Sequence, residues 1–375
     1  MSGYSTIKDH RSMTFDELRN TYYAEAIKKS VDKDSVVLDL GAGLGLHGCI
    51  AARSGARKVY LVEPASIIDV AKQLVIANNL SGQVVCFTGK IEEIDLPEIV
   101  DVIISVFTGN FLLTEDLLPS LFYARDKYLN PGGRLIPDKA IMEVVPVCAP
   151  EYYAEHIDCW NSSSHGLDFD MVRGFAVNSI YYDEPENREV EFLSEPVELL
   201  ELDFMTATEA SCRSRTQVEI NEEGLCHGWL GWFRMHLGDK WLSTSPLEKK
   251  THWSQVFLPL AEPISIKKGD VLSFEINRPE FGEWTWTVGH GDKYQRYSTF
   301  LSEPVSPAVL QRKSDTHKPL LSHKGQVIQE ILSLLDGNVS AAEIVERIMA
   351  DHKRFFSNRK QADRFVKDII ERYSS

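Results

Sequence analysis

The sequence predicts an α/β domain, then a β-rich, barrel-like domain with an inserted arm, and finally a small C-terminal helical module. Apolar strand-like runs alternate with helical patterns in the first third of the chain, and β-branched and aromatic runs separated by turns follow. Continuous apolar strands are typical of a parallel sheet covered on both faces, whereas the second pattern suits antiparallel strands. The predicted bounds are 1–30 for N-terminal helices that cover the ligand site, 31–138 for the α/β domain, 139–292 for the barrel-like domain, about 151–195 for the arm, 293–322 for a linker and 323–375 for the helical module.

The composition is that of a soluble globular protein. The chain has 375 residues, of which 43% are hydrophobic, enough to bury a sizeable core in two or three domains. No apolar run approaches the roughly 20 residues that cross a bilayer, and the N-terminus has no apolar signal segment. We therefore expect a cytoplasmic protein that does not act on membranes.

Charge and cysteine usage bear on further classes of ligand. A formal net charge of −15 argues against nucleic acid as a partner, because its phosphates would be repelled, but it is compatible with a basic peptide. The six cysteines show no C-x-x-C spacing, so we expect neither a disulfide framework nor a metal site.

A βαβ unit near the N-terminus predicts a nucleoside site. The strand-like run Val36–Leu40 leads into Gly41, Gly43 and Gly45, and a second β-branched run ends at Glu63. Glycines at such a turn let backbone N–H groups approach a ligand closely, and an acid at the tip of the second strand is placed to accept both hydroxyls of a ribose.

Spacing separates two cofactor classes. A dinucleotide fingerprint requires G-x-G-x-x-G, but Leu46 stands where the third glycine would be. Asp39, just before the glycines, would repel a pyrophosphate but attract the cationic sulfonium of S-adenosylmethionine (SAM). An ordinary strand–helix turn is the alternative, and it is weakened because Asp39 and Glu63 both flank the turn. We therefore predict SAM as the cofactor and S-adenosylhomocysteine as its product.

The segment before the first strand is predicted to be one helix that lies across the mouth of the cofactor site. Over residues 13–27, apolar side chains from Phe15 to Ala26 recur on one face. From this periodicity alone, Asp16 and Arg19 fit the solvated face of the helix.

The acceptor loop, residues 107–116, is the candidate site for a second substrate. It follows the predicted strand Val100–Val106, and ligands of open α/β sheets bind at the carboxyl ends of the strands. We therefore expect the acceptor to lie beside this loop.

Several motifs together resemble those of the protein arginine methyltransferase family. They are Val37–Gly45, Glu63, Gly89–Glu93, the acceptor loop up to Glu115, Tyr123–Leu129 and Thr251-His252-Trp253. The last triplet, with Ser243–Pro246 ahead of it, is the most specific, because it stands in the second domain at the family's spacing. The resemblance covers about residues 4–290 and implies a Rossmann-like SAM methyltransferase domain joined to a β-barrel-like domain.

The resemblance implies roles for individual cofactor-site residues. Arg19 would grip the cofactor carboxylate through its planar fork of donors, and Met13 would line the site. Glu63 would hold the ribose, and Glu92 would accept from the adenine amino group, beside the backbone of Ile91.

The resemblance also implies catalytic and substrate-pocket residues. Asp16 and His252 match a pair that spans the two domains in the family and is a candidate proton relay; with Glu115 they form the predicted catalytic set. Tyr4 stands where the family's N-terminal tyrosine motif ends.

One departure from the family pattern concerns the acceptor. The family's acceptor loop supplies two glutamates that clamp the substrate guanidinium, but Val106 stands in the place of the first and only Glu115 remains. A guanidinium has five donors and stays charged, so burial against valine would leave donors unpaired. The predicted pocket residues are Tyr4, Val106, Phe107, Asn110, Phe111 and Trp253.

We therefore predict a SAM-dependent methyltransferase that acts on a non-guanidine nucleophile, an amine or an aromatic or indole-like carbon of a small molecule or peptide. Two alternatives stand beside this prediction. The first is a protein arginine N-methyltransferase in which another acid compensates for Val106. The second is a catalytically silent scaffold that binds SAM.

The arm and the tail complete the predicted organisation. A surface loop with a small aromatic cluster is the simpler interpretation of the arm, but the resemblance implies that it docks on the nucleotide domain of a partner in a head-to-tail homodimer. The tail lies outside the resemblance. It is predicted to form helices over 326–335, 340–351 and 361–373, the second with a Ser340/Glu343 capping box.

Overall fold

The computed structural model describes residues 6–182 and 190–374 of the chain. The chain divides into two compact units, Met1–Pro304 and Val305–Ser375. Tyr4, predicted for the substrate pocket, lies outside the described residues.

Two helices, not one, precede the first strand. Helix α1 spans Ile7–Thr14 and helix α2 spans Glu17–Ser30. The prediction of one continuous helix with Phe15 on its apolar face is wrong, because Phe15 ends α1 and its side chain is 75% exposed.

Side-chain caps explain the break between these helices. Thr6 and Asp9 form a capping box at the start of α1, and Asp16 caps α2 by accepting a hydrogen bond from the Arg19 backbone nitrogen at 2.9 Å. A capping residue has non-helical backbone, so Asp16 interrupts the helix that hydrophobic periodicity alone predicts.

A parallel sheet with flanking helices forms the α/β domain. Its elements are β1 Val36–Leu40, α3 Leu46–Arg53, β2 Lys58–Glu63, α4 Ile68–Ala77, β3 Val84–Thr88, β4 Val100–Ser105, α5 Leu118–Tyr128 and β5 Leu129–Ile136. The strand order is β3-β2-β1-β4-β5, all parallel, and this confirms the predicted Rossmann-like topology. Connections leave β1 and β4 on opposite sides, so their carboxyl ends flank the crevice in which such sheets bind ligands.

Two main antiparallel sheets form the barrel-like domain and confirm its predicted class. Its strands, including the two-residue pairings of the arm, are β6 Lys139–Cys148, β7 Ser163–Ser164, β8 Leu167–Asp168, β9 Glu191–Phe192, β10 Val197–Asp203, β11 Cys212–Glu219, β12 Gly224–Leu237, β13 Lys240–Ser243, β14 Val256–Ile266, β15 Val271–Arg278, β16 Thr285–His290 and β17 Lys293–Ser298. One sheet has the order β10-β6-β12-β13, with β14 paired to β12 and β9 to β6, and the other has the order β11-β15-β16-β17. The large side chains of Trp229, Phe233, Phe274 and Trp286 fill the core of this domain.

The last strand corrects one predicted boundary. Residues 293–298 were expected to begin the linker, but they form β17 and pair with β16 from Thr285 to His290. The backbone hydrogen bonds of a hairpin outweigh the polar composition of these residues, which had suggested a linker.

The inserted arm is short and mostly helical in its described part. Helix α6 spans Pro150–His156, the β7–β8 hairpin follows, and helix α7 spans Asp170–Ala176. Tyr153 anchors the root of the arm by donating from Oη to the Leu260 carbonyl oxygen at 2.7 Å. At the tip, the side chains of Leu167 and Met171 are 63% and 77% exposed.

The second unit has a helical core of its own. Its helices are α8 Pro307–Arg312, α9 His323–Ser333, α10 Ala341–Asp351 and α11 Arg359–Tyr373. The predicted Ser340/Glu343 capping box is present at α10, and Val327, Ile331 and Ile348 are fully buried between the helices. None of the described helices of the chain is long and apolar enough to cross a membrane.

Buried hydrogen bonds tie the N-terminal helices to the sheet. Tyr23 of α2 is fully buried and donates from Oη to the Ser105 carbonyl oxygen, at the end of β4, over 2.9 Å. This contact fixes α2 against the strand that leads into the acceptor loop.

We predict that Tyr23→Phe lowers the free energy of unfolding by about 1 kcal/mol, because it removes one buried hydrogen bond and little volume. Urea unfolding followed by tryptophan fluorescence measures the change. Tyr22→Phe, at a partly exposed neighbouring position, serves as the control and should be nearly neutral. Equal effects of the two substitutions would contradict a structural role for the Tyr23 hydroxyl.

Candidate active site

A cavity of about 300 Å³ lies at the carboxyl ends of β1 and β4. Parts of α1, α2, the glycine loop (residues 41–45), the acceptor loop and the segment around His252 line it, so both domains contribute. The predicted site residues that line the cavity are Met13, Arg19, Asp39, Gly41, Gly43, Val106, Phe107, Asn110, Glu115, His252 and Trp253.

The structure does not bring every predicted site residue to this cavity. Phe111 was predicted to lie in the substrate pocket, and this prediction is wrong. Its side chain is 1% exposed and packs on Trp284, with 5.2 Å between ring centroids. An apolar side chain of this size is more stable in the core than beside a polar cavity. The residue therefore anchors the acceptor loop in the barrel-like domain.

Four predicted cofactor residues also lie outside the cavity lining. Gly45 packs on Leu61, Ile91 is buried in the core, and Glu92 is exposed and accepts from Ser120 Oγ at 2.5 Å. Glu63 accepts hydrogen bonds from the backbone nitrogens of Gly43 and Ala65 at 3.0 and 2.9 Å. Glu63 is thus bonded directly to a residue that does line the cavity.

The glycine loop adopts backbone that only glycine tolerates well. Gly41, Gly43 and Gly45 have φ values of 69°, 52° and 76°. A Cβ at Gly41 would stand 2.3 Å from Phe107 Cε1, and one at Gly43 would stand 2.9 Å from His10 Cε1. The missing side chains therefore let the acceptor loop and α1 close onto the glycine loop.

A buried carboxyl lies at the end of β1. Asp39 is 3% exposed and accepts a hydrogen bond from the Gly48 backbone nitrogen at 2.7 Å. Burial, with the nearby Glu63 carboxylate adding to it, raises the pKa of Asp39 to about 7. A cationic ligand in the cavity would favour the ionised form of this group.

A buried guanidinium faces the same cavity. Arg19 is 4% exposed, and its Nη2 donates to the Met13 carbonyl oxygen at 2.5 Å while its Nε donates to Asn20 Oδ1 at 3.1 Å. The interpretation of Asp16 and Arg19 as a solvated helix face is therefore wrong, since Asp16 is 8% exposed. Hydrophobic periodicity did not predict this burial, because hydrogen bonds allow the polar side chains of Asp16 and Arg19 to be buried.

Asp16 and His252 join the two domains. Asp16 Oδ2 accepts from the His252 backbone nitrogen at 2.8 Å and lies 2.9 Å from the Nδ1 atom of its ring. Burial alone would raise the pKa of Asp16, but the hydrogen bonds from His252 and Arg19 hold it below the usual range. Burial lowers the pKa of His252, and its contact with Asp16 offsets only part of that shift.

These shifts define the protonation of the pair at neutral pH. An ionised carboxylate only accepts hydrogen bonds, so His252 Nδ1 carries a proton and donates a hydrogen bond to Asp16 Oδ2. A neutral imidazole protonated at Nδ1 keeps a lone pair on Nε2. His252 is therefore poised as an acceptor of a proton.

The barrel-like domain holds the acceptor loop in place. Trp253 Nε1 donates to the Thr108 carbonyl oxygen at 2.8 Å, and the Ser254 backbone nitrogen donates to Asn110 Oδ1 at 3.0 Å. Phe111, Leu112 and Asp116 of the loop have φ values of 57°, 62° and 54°. Such conformations persist only where the surroundings impose them.

An ion pair also holds the acceptor loop in place. The buried guanidinium of Arg278 donates from Nη2 to Asp116 Oδ1 at 2.6 Å, next to Glu115. On the other side, a Cβ at Gly109 would lie 2.7 Å from Glu115 Cγ. Glu115 therefore lies between Asp116, which is bonded to Arg278, and Gly109, which has no side chain.

Several residues that line the cavity were not among the predicted site residues. Asp9, His10 and Thr108 all line it, and His47 does so with its ring stacked on Tyr23 at 4.5 Å. Burial lowers the pKa of His47 to about 3, so this ring is neutral. The Thr6-x-x-Asp9 spacing would have placed α1, Thr108 lies in the acceptor loop that was expected beside the acceptor, and His47 follows the glycine loop. Within residues 6–182 and 190–374, no cluster of three or more His, Cys, Asp or Glu side chains is arranged to hold a metal ion.

Comparison with known proteins identifies the family. The family model described as the arginine methyltransferase oligomerization subdomain matches residues 138–282. Protein arginine N-methyltransferase 1.1 of Arabidopsis thaliana is 34% identical over 277 residues, which cover 72% of this chain and 71% of that protein. The chain belongs to the protein arginine methyltransferase family.

Two further relatives extend this result. The Trypanosoma brucei PRMT1 enzyme–prozyme heterotetrameric complex with AdoHcy contains a chain that matches with a TM-score of 0.72 and 28% identity, over 79% of this chain and 99% of that one. Histone-arginine methyltransferase CARMER of Aedes aegypti is 33% identical over 289 residues, which are 73% of this chain. The matched region is 48% of that protein, so this family member spans about half the length of that relative.

The comparisons confirm the family resemblance and overturn the predicted acceptor. The relatives are named for arginine and histone-arginine methylation, which favours the guanidine acceptor first treated as the alternative. The prediction of a non-guanidine nucleophile is wrong. It rested on Val106 alone as the residue that would exclude arginine. Glu115, the acid that remains in the acceptor loop, and His252 both line the cavity.

We predict that the His252 ring of this arginine methyltransferase family member titrates below the ordinary histidine value of about 6.5, because burial disfavours the imidazolium. Proton–carbon NMR against pH measures this pKa, and the resonance is assigned by its loss in His252→Gln. In Asp16→Asn the value should fall further, since the carboxylate favours the charged ring. A wild-type pKa at or above the ordinary value would contradict the conclusion that burial lowers the pKa of this ring.

Proposed function

We propose that this chain is a SAM-dependent protein arginine N-methyltransferase. The observation that carries the proposal is the meeting of Glu115 and His252 with Arg19 and Asp39 around one cavity. Glu115 is an acid that can pair with a guanidinium. Arg19 and Asp39 suit the carboxylate and the cationic groups of SAM. The names of the matched relatives support the same activity.

The cavity residues fit SAM. The buried Arg19 guanidinium suits the cofactor carboxylate, and the Asp39 carboxyl suits a cationic group. The glycine loop is a cradle that any Cβ at Gly41 or Gly43 would fill, which allows a nucleoside to approach the backbone. Glu63 keeps lone pairs for ribose hydroxyls beside its bonds to backbone nitrogens. The matched trypanosome complex contains AdoHcy, the demethylated form of this cofactor.

SAM supplies an electrophilic methyl group, and the chain has to position the acceptor and accept its proton. A protonated guanidinium has no free lone pair, so attack requires loss of one N–H proton as the new bond forms. Glu115 pairs with the cation and fixes its orientation, which is the main contribution of an enzyme to such a reaction. His252 Nε2 and the Glu115 carboxylate are the two acceptors available for the proton.

The Asp16–His252 pair links this chemistry to the fold. Because Asp16 caps α2 while His252 belongs to the second domain, correct packing of the domains sets the tautomer of the ring. The barrel-like domain also holds the acceptor loop through Trp253. The positions of the base and of Glu115 therefore depend on the same interface.

We also propose that the protein forms a homodimer through the arm. The apolar side chains of Leu167 and Met171 are exposed at its tip, and the family model that matches this domain is described as the arginine methyltransferase oligomerization subdomain. The proposed docking surface for the arm is α4, where the side chains of Leu74 and Ile76 are 39% and 66% exposed. Two such contacts related by a twofold axis would close a head-to-tail dimer.

The acceptor class is tested with radiolabelled SAM and two basic peptides that differ only in carrying arginine or lysine. The proposal expects labelled arginine peptide, with methylarginine found after acid hydrolysis, and negligible label in the lysine peptide. Label in lysine alone, or in neither peptide when calorimetry shows that S-adenosylhomocysteine binds, would overturn the proposed acceptor.

We predict that Glu115→Gln lowers kcat/KM for an arginine peptide by about 10²–10⁴-fold, since it removes the countercharge and one proton acceptor. Affinity for S-adenosylhomocysteine should stay within a factor of about two, because Glu115 faces the acceptor rather than the cofactor. Glu93→Gln, at an exposed position, is the matched control. A loss of cofactor affinity as large as the loss of turnover would instead indicate misfolding of the loop.

We predict that the wild type sediments as a dimer at micromolar concentration and that the double substitution Leu167→Asp, Met171→Asp gives monomers. Two carboxylates would have to be buried without partners in the interface. Ser164→Asp, exposed on the same arm, adds a charge without removing an apolar contact and should leave the dimer intact. Sedimentation velocity distinguishes the species, and a monomeric wild type would end the dimer proposal.

A further inference from the structure

We infer that Asp9 of helix α1 supplies a second carboxylate for the acceptor guanidinium, in addition to Glu115 of the acceptor loop. This inference rests on the proposed function and deepens it by naming a further acceptor-binding residue. Asp9 and Glu115 line the same cavity. Three features of Asp9 carry the inference: its position, the state of its carboxylate and the charge that it adds to the cavity.

Helix α1 and the acceptor loop meet over the glycine loop. The rings of Phe107 and His10 lie 2.3 and 2.9 Å from the positions that a Cβ would take on two of its glycines. Val106 and Asp9 directly precede these two residues in the chain, and both line the cavity. An acid on α1 is therefore placed close to the part of the acceptor loop where Val106 brings no charge.

The far end of α1 is tied to α2, which fixes the helix over the cavity. Arg19 Nη2 and Asn20 Nδ2 donate to the Met13 carbonyl oxygen at 2.5 and 3.1 Å, and Asn20 Nδ2 also lies 2.9 Å from the Thr14 carbonyl oxygen. Met13 lines the cavity, and Asp9 precedes it by four residues, the spacing that places two side chains on one face of a helix. The ties at Met13 therefore also set the direction of Asp9.

The cap of α1 keeps the Asp9 carboxylate ionised. Its Oδ2 accepts hydrogen bonds from the Thr6 hydroxyl at 2.6 Å and from the Thr6 backbone nitrogen at 3.0 Å. These bonds, with that of the hydroxyl first, hold the pKa of Asp9 below its ordinary value, so the group is an anion at neutral pH. Its other oxygen, Oδ1, makes no hydrogen bond to the residues that the structure describes. A guanidinium N–H can donate to that oxygen.

The charge of the ligands calls for this acid. Histidines aside, the ionisable side chains of the described residues that line the cavity are Asp9, Arg19, Asp39 and Glu115. SAM carries two cationic groups and one carboxylate, and the acceptor brings a further cation, so the two ligands together have an excess of two positive charges. With Asp39 ionised beside the sulfonium, the lining without Asp9 would have an excess of only one negative charge. Asp9 makes the two sides equal, and an uncompensated charge in such a site is costly.

Peptide binding to the complex with S-adenosylhomocysteine separates this charge from catalysis. The probes are two peptides of identical sequence, one with arginine and one with citrulline, whose side chain is similar in shape but uncharged. We expect Asp9→Asn to raise the Kd of the arginine peptide about 10- to 100-fold, the loss expected for a hydrogen bond to a charged group. The citrulline peptide should change by less than about twofold. Calorimetry measures both values, and asparagine keeps an acceptor oxygen for Thr6.

Two control variants distinguish the charge from the helix cap. Glu17→Gln removes an exposed acid from the first turn of α2 and should leave both Kd values unchanged. Thr6→Val removes the capping hydroxyl but keeps the Asp9 carboxylate, so it should weaken the arginine peptide less than Asp9→Asn does. Affinity of Asp9→Asn for S-adenosylhomocysteine should stay within a factor of about two.

A second substitution tests the assigned role in turnover. Asp9→Asn should lower kcat/KM for the arginine peptide by the same factor as it weakens binding. Adding Val106→Glu to this variant returns a carboxylate to the acceptor side and should restore most of the loss, whereas adding Val106→Leu, which stays apolar, should not. If Asp9 only stabilised α1, neither second substitution would restore turnover.

Several results would overturn the inference. Asp9→Asn could leave binding and turnover of the arginine peptide unchanged, weaken both peptides equally, or match Thr6→Val in its effect. Each of these results would remove the role of Asp9 while leaving arginine methylation by the wild type intact. Failure of the wild type to methylate the arginine peptide, although it binds S-adenosylhomocysteine, would instead overturn the proposed function.

Discussion

The hydrogen bonds between Asp16 and His252 are the constraint on which the rest of the site depends. One carboxylate both caps α2 and accepts from the backbone and ring of a residue in the barrel-like domain. Because the carboxylate is 8% exposed, loss of either partner would leave a buried group unsatisfied, so the two domains have to pack in one arrangement. The same interface lets Trp253 hold the acceptor loop through Thr108. The cavity is thus a product of domain packing rather than of either domain alone.

Two of the ionisable groups that line the cavity are almost fully buried. Arg19 and Asp39 are both almost fully buried, and each loses hydration that a ligand of opposite charge would replace. Their presence together suits a ligand that carries both signs. On the acceptor side, Glu115 is the acid of the acceptor loop that lines the cavity, and Val106 adds an apolar side chain to the lining.

The sequence predicted the structure correctly where a local pattern is compatible with only one type of structure. Apolar runs and glycine spacing predicted the parallel sheet, and a resemblance in short motifs placed Asp16 beside His252 although they are far apart in the chain. Periodicity failed at Phe15, because a polar cap outweighs an apolar face, and the loop pattern failed at Phe111, because packing against a distant tryptophan decides its direction. The acceptor was mispredicted because the absence of one carboxylate at Val106 was weighed without the rest of the cavity, whose geometry appears only after folding.

The most direct test is a crystal structure of the protein with S-adenosylhomocysteine and an arginine-containing peptide bound together. We expect the guanidinium to donate hydrogen bonds to the Glu115 carboxylate, with His252 Nε2 within hydrogen-bond distance of the reacting nitrogen, and the Arg19 guanidinium to donate to the cofactor carboxylate. A guanidinium bound away from Glu115, or a cofactor bound outside the cavity at the ends of β1 and β4, would contradict this arrangement.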